Sequence, residues 1–140
     1  MSLALWPFSA IRRLRSKYDP DRLAGDAARD TGDWGKAAAA YRRYLQRRPR
    51  HAAVWIRLGN MLKECGRLAE ADEAYARATT LAPSQGAAHR LRGQLHARLG
   101  DCDGAAFHYA EAWRQDQDFE AGRALTRPEQ LANLAHLQDM

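Results

Sequence analysis

The sequence repeats itself at an offset of 34 residues, and this period limits what the chain can fold into. Three copies of one glycine, alanine and tyrosine spacing follow one another without insertion. The recurring positions are Gly25, Gly59 and Gly93; Gly32, Gly66 and Gly100; Ala37, Ala71 and Ala105; and Tyr41, Tyr75 and Tyr109. A period of about 20–50 residues is typical of stacked units, none of which can bury its apolar face alone. The sequence therefore predicts three stacked units.

Each unit has the pattern of two helices joined by a tight turn. In the middle unit, an apolar stripe at helical spacing ends at Gly66, which can adopt the left-handed conformation that closes a helix. Gly59 and Ala71 are small enough for the two helices to cross closely, and Tyr75 can fill the space towards the next unit. Pro83 follows the second helix, where proline helps to stop it. An antiparallel helical hairpin is predicted for each unit.

The middle unit also resembles a known repeat, the tetratricopeptide repeat. It carries that family's pattern in Trp55, Leu58, Gly59, Leu62, Gly66, Ala71, Tyr75, Ala78 and Pro83. The three units are residues 18–51, 52–85 and 86–119. The resemblance implies an all-α solenoid, a right-handed superhelix of three helical hairpins with its concave face lined by the first helix of each hairpin.

The outer units depart from this pattern. In the first unit, Asp21 stands where the middle unit has Trp55, and in the third unit Arg92 stands where it has Leu58. An arginine at a core-facing position must extend to solvent or pair with an acid. Arg92 is therefore expected to extend to solvent or to find an acid such as Asp116 or Glu120, with local repacking against the C-terminal segment.

Residues 1–17 form a basic amphipathic segment. Apolar side chains fall at helical spacing, at Phe8, Ile11 and Leu14 and then at Tyr18 directly after the segment. Basic residues fill most of the remaining positions, and no acid is present; they are Arg12, Arg13, Arg15 and Lys17. The segment is predicted to be a helix that packs on the first unit as a cap. The alternative is that it contacts an anionic membrane surface. A signal peptide is not expected, because the charges follow the short apolar stretch.

Residues 120–140 are predicted to close the solenoid. Thr126, Pro128 and Glu129 have the spacing of a capping box with an early proline, and Leu131, Leu134 and Leu137 continue an apolar stripe. An amphipathic helix here would cover the last apolar face of the stack.

The net charge of +5 is concentrated in two stretches, residues 1–17 and 41–50, so any electrostatic steering is local. The second stretch carries five arginines on the second helix of the first unit, where they are predicted to be solvated on the outer surface. Nucleic acid is an unlikely partner, because no aromatic side chains are placed among them to stack bases, apart from tyrosines that the repeat uses for packing.

Seven side chains on the first helices are candidate ligand contacts. In the family these positions line the concave groove, and here they are Arg22, Arg29, Asn60, Lys63, Arg90, Gln94 and Arg98. We call them the first-helix face. The resemblance implies that Asn60 binds the backbone of a bound peptide through its amide. The positive charges of Lys63, Arg90 and Arg98 suit acidic groups of a ligand, and the alternative for all four side chains is that they are only solvated.

The same comparison of positions argues against one specific ligand class. Family members that bind acidic chaperone tails hold the terminal carboxylate with lysine, asparagine and arginine. At those positions this sequence has Asp26, Arg57, Ala87 and Leu91. An aspartate would repel a carboxylate, so we expect a mixed-charge peptide segment instead.

Catalysis is not predicted. The sequence lacks a glycine-rich phosphate loop, a nucleophile elbow and a zinc-protease motif. His89, His96 and His108 lie in or beside packing positions, and Cys65 and Cys102 lack the clustered spacing of a metal site. The sequence therefore predicts no catalytic residue, no metal and no cofactor.

The predicted function is a non-catalytic protein-interaction scaffold that holds a partner peptide or helix in the groove. One alternative is an accessory module of a bacterial glycosyltransferase or envelope-assembly system, because residues 54–67 look like repeats found beside such enzymes. The other is a membrane-surface adaptor that uses residues 1–17. The absence of an apolar run of about 18 residues and the two cysteines favour a cytoplasmic protein, with peripheral contact at the inner face of the membrane and self-association both left open.

Overall fold

The structure, a computed structural model, describes residues 7–116. This part of the chain forms seven α-helices and no strand: α1 (Phe8–Lys17), α2 (Pro20–Asp30), α3 (Trp34–Arg47), α4 (Ala52–Glu64), α5 (Leu68–Leu81), α6 (Gly86–Arg98) and α7 (Cys102–Asp116). The principal contacts join helices that are consecutive along the chain. The pairs α2–α3, α4–α5 and α6–α7 are the three predicted hairpins, and the chain is an all-α solenoid of helical hairpins.

A glycine in the left-handed conformation closes the first helix of each hairpin. The φ angles of Gly32, Gly66 and Gly100 are 77°, 77° and 79°. In the middle unit the amide of Gly66 donates to the carbonyl of Lys63 at 3.0 Å, and the amide of Arg67 donates to the carbonyl of Leu62 at 2.9 Å. This pair of bonds is the Schellman arrangement, which satisfies carbonyls at the helix end. The predicted role of these glycines is confirmed.

The two helices of each hairpin meet where a tyrosine ring lies against a glycine. A Cβ atom placed on Gly59 would lie 2.5 Å from the ring of Tyr75, and the same close approach occurs at the matching pairs Gly25–Tyr41 and Gly93–Tyr109. Both Tyr41 and Tyr75 are fully buried. The ring therefore occupies the volume that any side chain larger than hydrogen would need.

The buried core extends from α2 to α6, with Tyr41, Tyr44 and Tyr75 as its largest fully buried side chains. A smaller cluster of Ala105, Tyr109 and Ala112 lies on α7. The predicted closing segment, residues 120–140 with Thr126, Pro128 and Glu129, lies outside the described residues.

The start of α2 is fixed to the end of α3 by a buried carboxylate. Asp19 caps α2 by accepting from the amide of Asp21 at 3.0 Å, and it accepts two bonds from the Arg47 guanidinium at 2.7 and 2.9 Å. The hydrogen bond from Arg47 is the main reason that the pKa of Asp19 falls to about 2. An ionised aspartate therefore joins the two helices of the first hairpin.

Helix α1 packs through a different residue from the predicted apolar stripe. Phe8 is 75% exposed and Tyr18 is 61% exposed, whereas the buried side chain is Ser16. The Ser16 hydroxyl lies 2.5 Å from the hydroxyl of Tyr44 on α3. A polar contact thus anchors the C-terminal end of α1 to the first hairpin, and the prediction of an apolar stripe packed on the repeat is wrong for its two ends.

Arg92 has its acidic partner in the preceding unit. Its guanidinium nitrogens Nε and Nη2 donate to the two carboxylate oxygens of Asp72 on α5 at 2.9 and 3.3 Å. The prediction that Arg92 finds an acid is confirmed, although Asp72 was not among the examples named. Asp72 is within reach because α6 packs on α5. Of the named acids, Glu120 and the side chain of Asp116 lie outside what the structure describes.

We predict that Gly59→Ala destabilises the protein, although alanine is the better helix former. The added methyl group would displace the fully buried Tyr75 ring, and overpacking of this kind costs about 1–3 kcal/mol. The measurement is urea-induced unfolding followed by circular dichroism. Gly35→Ala is the matched control, because a Cβ atom on this exposed helical glycine meets nothing within 4 Å. Equal unfolding free energies for the two variants would contradict the packing argument.

We also predict a pH dependence that comes from Asp19. Its folded-state pKa, about 2, lies below the usual aspartate value of 3.8. The carboxylate therefore stabilises the fold above about pH 4, and this contribution disappears as the pH falls to about 2. Asp19→Asn should therefore flatten the loss of stability between pH 4 and 2 in urea titrations. Arg47→Gln should flatten it in the same way, because Arg47 is the main cause of the shift. An unchanged pH profile in both variants would rule out this ion pair as its source.

Candidate functional site

The seven residues of the first-helix face occupy matching turns of successive helices. Arg22 and Arg29 lie on α2, Asn60 and Lys63 on α4, and Arg90, Gln94 and Arg98 on α6. The 34-residue offset makes Asp26, Asn60 and Gln94 equivalent positions, each directly after the glycine that contacts a tyrosine. The hairpin packing therefore also positions these polar side chains.

Asn60 is held in place by an internal hydrogen bond. The hydroxyl of Tyr75 donates to Asn60 Oδ1 at 2.6 Å, and burial raises the pKa of Tyr75 well above its usual value, with the charge of Glu64 adding to the effect. The tyrosine therefore remains a donor at any physiological pH. The amide oxygen of Asn60 is committed to the fold, which leaves its NH₂ group as the part that can donate to a ligand.

Asp26, at the equivalent position in the first unit, is the centre of a larger network. Its Oδ1 atom accepts from the Tyr41 hydroxyl at 2.5 Å, from Arg57 at 2.8 Å and from Arg29 at 3.3 Å. Burial, followed by the hydrogen bond to Asp26, raises the pKa of Tyr41 to about 12. Arg57 lies on α4, so this carboxylate connects the first helices of two units.

Asp26 and Arg57, the two departures from the carboxylate-clamp pattern in the first two units, contact each other at 2.8 Å. Both residues replace positions that the clamp requires, and here they form a salt bridge with each other. Sequence reasoning identified each departure separately but missed their pairing. The available signal was their opposite charge on the same face of consecutive first helices.

The two arginines of α2 are engaged by neighbouring groups. Arg29 forms ion pairs with Asp26 at 3.3 Å and Asp30 at 3.0 Å. Arg22 donates to the hydroxyl of Ser16 at 3.0 Å and thus contacts α1. These two predicted ligand contacts have structural partners of their own.

Three residues of the first-helix face are uncommitted. Lys63 is half-buried, Gln94 and Arg98 are exposed, and within residues 7–116 no hydrogen bond or ion pair engages their side chains. They lie on α4 and α6. The site thus combines fixed polar groups with flexible donors that a ligand could use.

Most of the arginines on α3 are neutralised rather than simply solvated. Arg42 pairs with Glu70 on α5, Arg43 pairs with Asp21, and Arg47 pairs with both Asp19 and Asp21. These arginines therefore form ion pairs that hold α3 to its neighbours.

His108 is a buried packing residue, as predicted, whereas the half-buried His96 contacts two carboxylates, with Nδ1 2.8 Å from Asp101 Oδ2 and Nε2 3.3 Å from Asp72 Oδ1. The two rings lie 4.7 Å apart, and burial, aided by Arg92, lowers the pKa of His108 to about 4. In the described part of the chain no group of three or more histidine, cysteine or acidic residues could hold a metal ion. No described helix is long and apolar enough to cross a membrane.

Repeated hairpins with polar first helices define a helical-repeat protein of the kind that presents a surface to other chains. The sequence model of the tetratricopeptide repeat matches residues 28–95. Residues 28–95 belong to the tetratricopeptide-repeat family, as the middle unit indicated. A search of curated proteins found no match.

Solved structures of other repeat proteins share the fold. The first tetratricopeptide domain of RPAP3, bound to the HSP90 peptide SRMEEVD, matches with a TM-score of 0.73 at 19% identity, over 82% of this chain and 90% of that one. PcrH, in complex with the chaperone-binding region of PopD, matches with a TM-score of 0.67 at 18% identity, over 90% and 89%. MamA matches with a TM-score of 0.68 at 21% identity, and there the alignment covers 75% of this chain but only 58% of MamA.

We predict that Asp26→Ala lowers the free energy of unfolding by about 1–3 kcal/mol, because it leaves the buried Tyr41 hydroxyl without its acceptor and breaks the bond to Arg57. Asp30→Ala is the matched control. It also removes an Arg29 partner, but Asp30 is 69% exposed, so its loss should cost less than about 0.5 kcal/mol. Urea titrations measure both. A cost for Asp30→Ala as large as that for Asp26→Ala would contradict the network.

Proposed function

We propose that this chain is a non-catalytic interaction module that binds a peptide segment of a partner protein along α4 and α6. The observation that carries the proposal is the set of uncommitted donors Lys63, Gln94 and Arg98 beside Asn60, whose own position is fixed by Tyr75. Side chains that make no structural bond on an otherwise bonded face are the groups that a ligand can engage without disrupting the fold. The fold class is typical of such modules.

The charges on this face favour a peptide with acidic residues near basic ones. Lys63 and Arg98 supply positive charge, and the exposed Glu64 next to Lys63 supplies negative charge. A terminal carboxylate is a poor ligand for the first unit, because the Asp26 carboxylate is centred there. We therefore propose an internal, mixed-charge segment rather than an acidic chain end.

The comparisons support peptide binding in general terms. RPAP3 is described with an HSP90 peptide and PcrH with a region of PopD. Because both are less than 20% identical to this chain, they support the use of the fold and do not identify the partner.

The setting of this function is also a proposal. We propose a bacterial, cytoplasmic protein, in keeping with the free thiols Cys65 and Cys102. The role of accessory to a glycosyltransferase or envelope-assembly enzyme is one setting for such an interaction. Peripheral membrane contact is a second candidate, favoured by the exposed Phe8 beside the exposed Arg12 and Arg13, and flotation with anionic vesicles tests it.

The test is selection of binding peptides with a charge-matched control. Peptides are selected from a displayed random library on the wild-type protein and measured by fluorescence polarisation. Lys63→Glu with Arg98→Glu should weaken the selected peptides by about tenfold or more. Lys36→Glu with Arg114→Glu makes the same charge change at exposed positions on second helices and should leave affinity within about twofold.

The design leaves Asn60 unchanged, because removing it would strand the Tyr75 hydroxyl and confuse binding with folding. If the peptides bind the Lys63→Glu, Arg98→Glu double variant with the same affinity as the wild type, the assignment of this face as the binding surface is contradicted. Equal losses of peptide affinity in the two double variants would show that binding depends only on the net charge of the protein.

A further inference from the structure

A cavity of about 500 Å³ lies where α1, α2, the end of α3 and the start of α4 meet. Five arginines and one histidine contribute to its wall: Arg12, Arg13, Arg22, Arg48, Arg50 and His51. We call it the arginine pocket. It lies away from the uncommitted residues of α4 and α6, and only Arg22 belongs to the first-helix face.

The positive charge of the pocket is poorly neutralised. Within residues 7–116, the one carboxylate within 4.0 Å of these five guanidinium groups is Asp19, which lies 4.0 Å from Arg48 Nε. Asp19 is already held by Arg47 at 2.7 Å. This differs from the rest of α3, where Arg42, Arg43 and Arg47 each have a close acid.

Buried hydroxyl groups form a fixed polar floor. Ser16 Oγ lies 2.5 Å from the Tyr44 hydroxyl, which lies 2.6 Å from Nδ1 of His51, and Arg22 donates to Ser16 at 3.0 Å. One proton order satisfies the chain, in which Arg22 donates to Ser16, Ser16 to Tyr44, and Tyr44 to His51. In that order His51 Nδ1 is an acceptor, so the neutral ring carries its proton on Nε2.

The pKa of His51 is sensitive to the positive charge around the pocket. Burial lowers the pKa of His51, and the charges of Arg22, Arg57 and Arg48 lower it further. Arg22 lies on α2, Arg57 lies on α4 and Arg48 directly follows α3, so positive charge faces the ring from three directions. An anion in the pocket would offset that charge and raise the pKa.

The chemistry of the wall suits a multiply charged anion such as a phosphate group. Guanidinium groups bind phosphate oxygens with paired, charge-assisted hydrogen bonds, and several of them around one cavity suit a doubly charged group. The volume falls within the range of about 300–1,000 Å³ that is typical of small-molecule sites. Tyr44 is fully buried and offers no ring face to a nucleobase.

We propose that the arginine pocket is a binding site for a phosphate group carried by a small molecule or a lipid headgroup, with the surrounding arginines holding the phosphate oxygens beside the fixed Ser16–Tyr44–His51 hydrogen-bond chain. This site is separate from the peptide surface. Its failure would leave the peptide proposal unaffected.

The first test uses inorganic pyrophosphate as the probe, with calorimetry and with the His51 ring signals in NMR. At constant ionic strength, pyrophosphate should bind and should raise the pKa of His51. Arg13→Gln with Arg50→Gln should weaken binding by about tenfold or more. Both residues are exposed and make no bond in the described chain, so the fold should be kept, which circular dichroism checks.

Arg67→Gln with Arg114→Gln removes two exposed arginines elsewhere and should leave binding within about twofold. Absence of binding at millimolar pyrophosphate together with an unchanged His51 pKa overturns the proposal. An equal loss in the control pair also overturns it, because binding would then follow net charge alone.

The source of the phosphate is distinguished with vesicles of phosphatidylcholine, with and without phosphatidic acid. Flotation with phosphatidic acid that pyrophosphate reverses supports the site with a lipid headgroup as ligand. Pyrophosphate binding without flotation supports it with a small molecule as ligand. A third outcome overturns the pocket and favours surface contact by α1. In it, calorimetry detects no pyrophosphate binding, pyrophosphate does not reverse flotation, and the Arg13→Gln, Arg50→Gln variant still floats.

Discussion

The three hairpins depend on a tyrosine ring lying against the backbone of a glycine. This contact sets how closely the two helices of a unit approach, because the ring of Tyr75 fills the volume beside Gly59 and the other two units repeat the arrangement. It also delivers a hydroxyl group to the next residue of the first helix, which is Asn60 in the middle unit and Asp26 in the first. One packing contact therefore fixes both the hairpin geometry and the polar groups of the first-helix face. The buried phenols stay protonated, since burial raises their pKa values.

Electrostatics divides the basic residues into two groups. The arginines in the middle of α3 lie next to acids of α2 and α5 and act as links between helices. The remaining arginines near α1 and the start of α4 have hydroxyl groups and a neutral histidine around them instead of carboxylates. The net charge of +5 is therefore expressed mainly at the N-terminal end of the stack and on the first-helix face, although the arginine count of α3 alone suggests its outer surface.

The sequence predicted those parts of the structure that repeat. The left-handed glycines and the glycine–tyrosine pairs recur every 34 residues, so one local rule accounts for all three units. Side-chain pairing between units was not predicted. An acidic partner was expected for Arg92, but the sequence did not point to Asp72 in the unit before it. The arginine pocket was missed because four elements contribute to it, and Ser16 looks like a solvated residue until the fold places it beside Tyr44. Arg22 and Arg29 were predicted to contact a ligand, but they bind side chains of this protein. Their partners also become apparent only once the helices are packed.

The succession of contacts between consecutive helices has a kinetic consequence. Residues that touch are close in sequence, so little chain must be ordered before each contact forms, and chains of this kind fold quickly for their size. Structure can begin at whichever hairpin is locally most stable and then spread in both directions. The middle hairpin has neighbours on both sides and the most regular repeat pattern, which makes it the natural starting point. The outer hairpins then pack on a hairpin that is already folded. Differences in their sequences therefore change the local stability of the two ends more than they change whether the chain folds.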